Sequence, residues 1–274
     1  MGAGYISDKY GRKTTLIITA VLFAVSSVGS AVAMNLTQFV ISRILGGIGI
    51  GAASMLSPLY ISEMAPAEKR GMFVTLYQLA IVIGINIIYF VNLMIAGSGT
   101  EQWNIDFGWR YMLGSGTIPS VLFLAALFLV PESPRWLALN GKDDEALKIL
   151  EKTSGTTEAQ NALKQIKLSA GTDSGKLKEL FAPGLRTAMI IGLMLALFSQ
   201  ITGINAIIYY APEIFKNVGF GTDSALLQTV IIGVTNTIFT FVAITFIDRA
   251  GRRKLLIWGV LGMLICLIGI GVVF

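Results

Sequence analysis

Charged residues are missing from long stretches of the chain. Uncharged runs cover residues 14–42, 44–62, 71–100, 111–131, 187–212, 224–247 and 255–274. Each reaches the ~20 residues that carry a helix across ~30 Å of hydrocarbon, or comes within a residue of it. In lipid only a helix or a closed barrel satisfies its own backbone polar groups. The pattern therefore predicts seven complete transmembrane helices, at about 14–34, 38–62, 72–96, 110–130, 187–210, 225–247 and 255–274. Residues 1–6 read as the end of a further helix, and no charged leader with a cleavage site precedes them, so no signal peptide is expected. On this reading the chain begins near the inner end of one helix and stops at the outer end of another.

Residues 131–185 differ from their surroundings. Asp143, Asp144 and Glu145 open a helix where its dipole favours acids, and Thr156 or Thr157 is placed to cap a second, which puts Ala159, Leu163, Ile166 and Ala170 on one face. Gly171 to Gly175 breaks the pattern before a short Lys176–Phe181 segment. The expected organisation is a membrane half at 1–130, a linker of small amphipathic helices at 131–185, and a second membrane half at 186–274.

Composition fits an all-α membrane protein. The chain is 54% hydrophobic and only 14% charged, against roughly 25% charged in an average globular chain. It contains no histidine, which excludes Ser–His–Asp and Cys–His catalysis and imidazole metal sites. The single cysteine, Cys266, lies inside an apolar run and forms no intrachain disulfide. No enzyme activity, metal or cofactor is expected.

The net charge of +5 could suggest nucleic acid, but the position of the charges gives another reason. Eighteen of the 21 Lys and Arg residues fall in alternate loops, at 7–13, 63–70, 132–186 and 248–254. This is the positive-inside pattern, which places those loops in the cytoplasm of a multi-pass cell-membrane protein. The partners expected are lipid and a small solute, with no nucleic acid.

One basic loop recurs. Asp8-Lys9-Tyr10-Gly11-Arg12-Lys13 returns as Asp248-Arg249-Ala250-Gly251-Arg252-Arg253-Lys254. In both, the acid sits at a helix C-terminus and the bases at the next N-terminus, each opposed by the helix dipole. A placement twice disfavoured locally points to tertiary ion pairs, with glycine supplying the tight turn.

At these residues the chain resembles the sugar porter family of the major facilitator superfamily. Signatures follow in order: Gly4 with Asp8, Lys9, Gly11, Arg12 and Lys13; Arg43 with Gly46 and Gly47; Glu63 with Arg70-Gly71; Gly108-Trp109-Arg110; Pro131-Glu132-Ser133-Pro134-Arg135; Gln200, Gly203 and Asn205 with Tyr209-Tyr210; and the Asp248 loop. The resemblance is closest in appearance to bacterial proton-coupled pentose and hexose transporters. It implies a helix bundle of twelve spans, of which this chain resembles the end of the second through the ninth. It departs from the family at Ser199, where a first of two adjacent glutamines is usual. The function implied is transport of a monosaccharide by alternating access, coupled to protons. Two other readings stay open: a truncated, non-transporting fragment of such a transporter, and a sugar-sensing relative.

An uncharged, hydroxylated sugar needs amides, hydroxyls and an aromatic face. Gln78, Asn86 and Asn92 share one span; Gln200, Thr202, Asn205, Tyr209 and Tyr210 another, beside Gly203 where the helix can break; Asn236 lies in a third. Sugar contact and interhelical hydrogen bonding are equally open on chemistry alone. The resemblance favours sugar contact for Gln78, Gln200, Asn205, Asn236 and Tyr210, and helix packing for Asn86 and Asn92. Arg43 is the one charge well inside a span, so it either faces a polar cavity or snorkels outward. In proton-coupled relatives the matching arginine neighbours an acid on the first helix, which implies a coupling role. The resemblance further implies that Asp8, Arg12, Glu63, Arg70, Glu132, Arg135, Asp248 and Arg252 form a cytoplasmic gate. The Gly46–Ala53 stretch reads as a close helix-packing face.

Overall fold

The computed structural model describes residues 2–66, 70–170, 185–217, 219 and 222–273. Among them the regular elements are helices, joined by short loops. The short α1 (Gly2–Tyr10) turns at Gly11 into α2 (Arg12–Val32), followed by α3 (Leu36–Met64), α4 (Arg70–Gly97) and α5 (Glu101–Leu129). Three small helices come next, α6 (Pro134–Leu139), α7 (Asp143–Ser154) and α8 (Thr156–Ala170). The chain then continues through α9 (Leu185–Ile201), α10 (Ile204–Asn217), α11 (Thr222–Ala250) and α12 (Arg252–Val273). Among the described residues five helices are long and apolar enough to cross a membrane: α2, α3, α4 from Gly71, α5, and the Leu227–Phe246 stretch of α11. The seventh expected span falls within α12.

Two expected spans differ in detail. The span expected at 110–130 starts earlier, at Glu101, because Thr100 caps it by accepting from the Trp103 amide at 3.3 Å. Its first turns are polar and include a π turn over Asn104–Gly108, so hydropathy alone begins the element too late. The span at 187–210 is two helices, α9 and α10, broken at Thr202-Gly203, where Gly203 has φ +74°.

At the start of α3, Asn35 accepts from the Gln38 amide at 2.9 Å, and the Gln38 side chain accepts in return from the Met34 amide at 2.9 Å. This reciprocal cap fixes the entry of the helix.

The strand of contacts at the centre is α2, which packs along α3 and α5. Leu16 and Ala20 of α2 meet Leu56 of α3 and Leu127 of α5, with Ala52, Tyr60 and Phe123 around them. Gly46 allows the close approach of α3, since a Cβ there would lie 2.4 Å from Ser26 Oγ. Much of the remaining apolar surface is exposed, as at Leu129 (88%) and Leu193 (67%), which suits hydrocarbon and not water.

The small helices form their own cluster. Leu137 and Ala138 of α6 pack with Ala146 of α7 and with Leu163 and Ile166 of α8. Asp143, Asp144 and Glu145 occupy the first turn of α7, and Lys167 of α8 pairs with Asp143. The cap of α8 falls at Gly155, whose carbonyl accepts from the Ala159 amide at 3.0 Å; Thr156 is already helical. The segments expected at Gly171–Gly175 and Lys176–Phe181 lie outside the described residues.

The two copies of the repeated loop share a backbone. Gly11 (φ +98°) and Gly251 (φ +82°) both turn left-handed, and the carbonyl of each accepts from an amide four residues on, in Thr15 and Leu255. They differ in surroundings. A Cβ at Gly11 would lie 2.3 Å from Glu132 Oε2, whereas a Cβ at Gly251 would meet nothing within 4 Å. Gly251→Ala is therefore expected to cost backbone strain alone, about 1 kcal/mol, and Gly11→Ala about 1–2 kcal/mol more by displacing the carboxylate. Thermal unfolding in detergent checks this: Tm should fall further for Gly11→Ala, and equal shifts would contradict the position of Glu132.

Candidate functional site

One end of the bundle is organised by Arg12. It is the first residue of α2, and its side chain is only 7% exposed. Its Nε donates to Glu63 Oε2 at 3.1 Å and its Nη2 to Glu63 Oε1 at 3.2 Å, a two-point contact with the last turn of α3. Its Nη1 donates to Asp8 Oδ1 at 2.8 Å and to the Ser7 carbonyl at 3.2 Å, reaching back to α1. Ser133 Oγ donates to Glu63 Oε2, so the carboxylate, 5% exposed, is held by two residues. Planar, bidentate pairing of this kind is the strong form of a charged hydrogen bond.

Glu132 sits over the N-terminus of α2. It accepts from the Lys13 amide at 3.0 Å and from its own neighbour, the Ser133 amide, at 2.9 Å. The α2 terminus thus acquires the negative charge its dipole favours, from a residue far along the chain. Trp136 Nε1 donates to the Asp8 carbonyl at 2.9 Å, and Tyr60 donates to the Pro131 carbonyl at 2.7 Å. These contacts tie α1, α2, α3 and α6 together.

Of the eight residues assigned to the gate, Asp8 and Glu63 both pair with Arg12, and Glu132 joins them through its neighbour Ser133. Arg135 follows in α6 and has an interaction of its own. The side chains of Arg70, Asp248 and Arg252 lie outside the described residues. Ser133 belongs to the cluster and carries no role in the sequence reading. Its signal was available: a Ser-Pro step at a helix start supplies an N-cap, and Ser133 Oγ accepts from the Trp136 amide at 3.3 Å.

The uncharged polar residues lie deeper. Gln200 lies in the last turn of α9 and Asn205 in the first turn of α10, and across the break Asn205 Nδ2 donates to Gln200 Oε1 at 2.9 Å. Thr202 Oγ1 donates to the Ser199 carbonyl at 2.7 Å and so closes the last turn of α9. Asn236 and Thr202 line one cavity of about 700 Å³, with Tyr89, Phe239 and Trp258 among its walls. Gln78 on α4 and Tyr210 on α10 are exposed and stand apart from that cavity. Gln200, Asn205 and Asn236 are also exposed, leaving amide groups available to a solute.

Arg43 lines a second cavity, about 780 Å³, walled by α2, α3, α4 and α5. Ser26, Ser27 and Ser30 of α2 share it with Asn92 of α4. The Ser30 hydroxyl and Asn92 Oδ1 are buried there without a hydrogen-bond partner. Asn92 is thus a cavity residue, where packing was expected. Asn86 does pack, donating to the Gly233 carbonyl of α11 at 2.9 Å and to Thr237.

A family model described as "Sugar (and other) transporter" matches residues 1–274. The chain is 48% identical over 273 residues to the arabinose-proton symporter of Bacillus subtilis, covering 99% of this chain and 59% of that protein. It is 46% identical over 291 residues to the D-xylose-proton symporter of Escherichia coli, with the same coverage. A solved structure of the major facilitator superfamily proton:xylose symporter XylE bound to 6-bromo-6-deoxy-D-glucose superimposes with a TM-score of 0.83 at 46% identity, over 92% of this chain and 57% of that one. The partially occluded inward-open form of the E. coli xylose transporter gives 0.82 at 45% identity, over 92% and 59%. The chain thus spans about three-fifths of the length of these curated relatives. With the family model matched from end to end and the fold shared, the chain belongs to the sugar porter family of the major facilitator superfamily.

Proposed function

We propose that the protein carries a monosaccharide, a pentose or hexose, across the cell membrane by alternating access, coupled to protons. The observation that carries this reading is the amide pair Gln200–Asn205 at the break between α9 and α10, beside a cavity that Asn236 lines. Interrupted helices near the midplane are where transporters build solute sites. Amides suit an uncharged polyol because they donate and accept without imposing a charge. The similarity to an arabinose-proton and a D-xylose-proton symporter supports a pentose and a proton. On this reading Gln78 and Tyr210 come into contact with sugar only as the halves 1–130 and 186–274 close on it, across the linker 131–185. Arg43 serves coupling from within a cavity whose unpartnered Ser30 and Asn92 atoms suit water.

In the orientation that the basic loops imply, the Arg12 cluster faces the cytoplasm. There it closes the inner side, and Asp8, Arg12, Glu63, Arg70, Glu132, Arg135, Asp248 and Arg252 act together as the gate. The individual exposed pairs contribute about 0–1 kcal/mol, so only the cluster acting together across the two halves holds a bias of a few kcal/mol.

Uptake of labelled arabinose and D-xylose into proteoliposomes tests the function, with the 274-residue chain and with its complete reading frame. Accumulation driven by an inward proton gradient supports it; no saturable uptake of any pentose or hexose in either form overturns it. Within an active form, Gln200→Ala or Asn205→Ala is expected to weaken sugar binding by about 1–3 kcal/mol, the cost of leaving a buried partner unpaired. Calorimetry giving wild-type affinity for both would remove the pair from the site. Glu63→Gln is expected to raise labelling of a cavity thiol from the cytoplasmic side and to slow net transport. Unchanged labelling and rate would show that the cluster orients the protein and gates nothing.

A further inference from the structure

The two membrane halves touch through α4 and α11, and hydrogen bonds cross that contact near its middle. Asn86 lies within three residues of the centre of α4, and Gly233 and Thr237 straddle the centre of α11. Asn86 Nδ2 donates to the Gly233 carbonyl at 2.9 Å and also contacts Thr237 Oγ1. Thr237 Oγ1 in turn donates to the Gly233 carbonyl at 3.1 Å. The backbones approach closely there: a Cβ on Gly233 would lie 2.7 Å from Asn86 Oδ1 and 2.8 Å from a ring carbon of Tyr89. Val82 of α4 and Val230 of α11 are buried, 3% and 5% exposed. Elsewhere both helices carry large exposed apolar side chains, including Met72 and Phe90 on α4 and Phe241 and Phe246 on α11.

We infer that this Asn86–Gly233–Thr237 contact is the pivot on which the two halves rock, an inference that rests on the alternating-access reading. The helices run antiparallel, so each end of the contact belongs to one side of the membrane. Opening one side and closing the other tilts α11 against α4. A tilt of roughly 15° moves a helix end about 20 Å away by about 5 Å, while residues at the crossing shift by a small fraction of that. A hydrogen bond persists only where relative motion stays below a few tenths of an ångström to an ångström, so a buried amide clasp is compatible with rocking only at the crossing. Two features fit that role. The missing side chain at Gly233 lets the backbones turn on each other without a knob to climb over. Asn86 donates to a backbone carbonyl and a hydroxyl in one small region, so a change of angle exchanges one acceptor for the other without leaving the amide bare. Asn86 is on this account a positioning residue and makes no contact with sugar.

A disulfide distinguishes a pivot from an ordinary packing contact. In transport-active protein with Cys266→Ser, the pair Asn86→Cys and Thr237→Cys is oxidised, and uptake of labelled D-xylose or arabinose is compared before and after reduction. A cross-link at a pivot is expected to leave at least half of the reduced protein's rate. Uptake that is abolished by oxidation and restored by reduction would overturn the inference, because the contact would then have to open during the cycle. A second variant covers failure of the pair to fold. Gly233→Leu is expected to slow transport at least tenfold while changing sugar affinity less than threefold by calorimetry. Wild-type transport by Gly233→Leu would likewise overturn the pivot. Absence of uptake by the unmodified protein overturns the functional reading instead, so the two failures are separable.

Discussion

A buried guanidinium at the mouth of a helix organises one end of this protein. Arg12 opens α2, where the positive end of the helix dipole opposes it, and it is nearly removed from solvent. Such a charge persists only if paired and fully hydrogen-bonded. Glu63 answers it from α3 and Asp8 from α1, Ser133 buttresses Glu63, and Glu132 supplies the negative charge that the α2 terminus otherwise lacks. Four separate segments are fixed by this one requirement. The membrane imposes the rest: helices satisfy their own backbones, and their apolar faces are left to lipid.

The same requirement accounts for the glycine in the first copy of the repeated loop. Gly11 turns left-handed, but so does Gly251, and the turn alone does not account for the crowding at Gly11. The Glu132 carboxylate occupies the space a side chain would fill, and from there it accepts from the Lys13 amide. Turn geometry and charge compensation are met by one residue type at one position.

Much of this was legible in the sequence. Five of the seven uncharged runs located helices long and apolar enough to cross a membrane among the described residues, because hydrophobicity decides what enters lipid. The opposed acid and base around Gly11 announced a tertiary ion pair, since local preference could not explain them. Gly203 beside a cluster of amides marked the break between α9 and α10. What was not legible depends on which distant residue arrives. Nothing in the spacing pairs Glu132 with the Lys13 amide, and Ser133 read as part of a motif with no contact of its own. The polar first turns of α5 escaped because hydropathy reports lipid exposure and not helicity. Asn86 and Asn92 looked alike as intramembrane amides. Only packing separates them, one clasped against α11 and the other lining the Arg43 cavity.

The central claim, that the Arg12–Glu63 contact holds this end together, is tested most directly by a double-mutant cycle. Arg12→Gln, Glu63→Gln and the pair are each unfolded reversibly in detergent, and the coupling free energy is taken from the four stabilities. A buried, bidentate pair predicts a coupling of about 2 kcal/mol or more, with each single mutant losing about 3–5 kcal/mol because one charge is stranded. A coupling below about 0.5 kcal/mol, the level of an exposed surface pair, would contradict it.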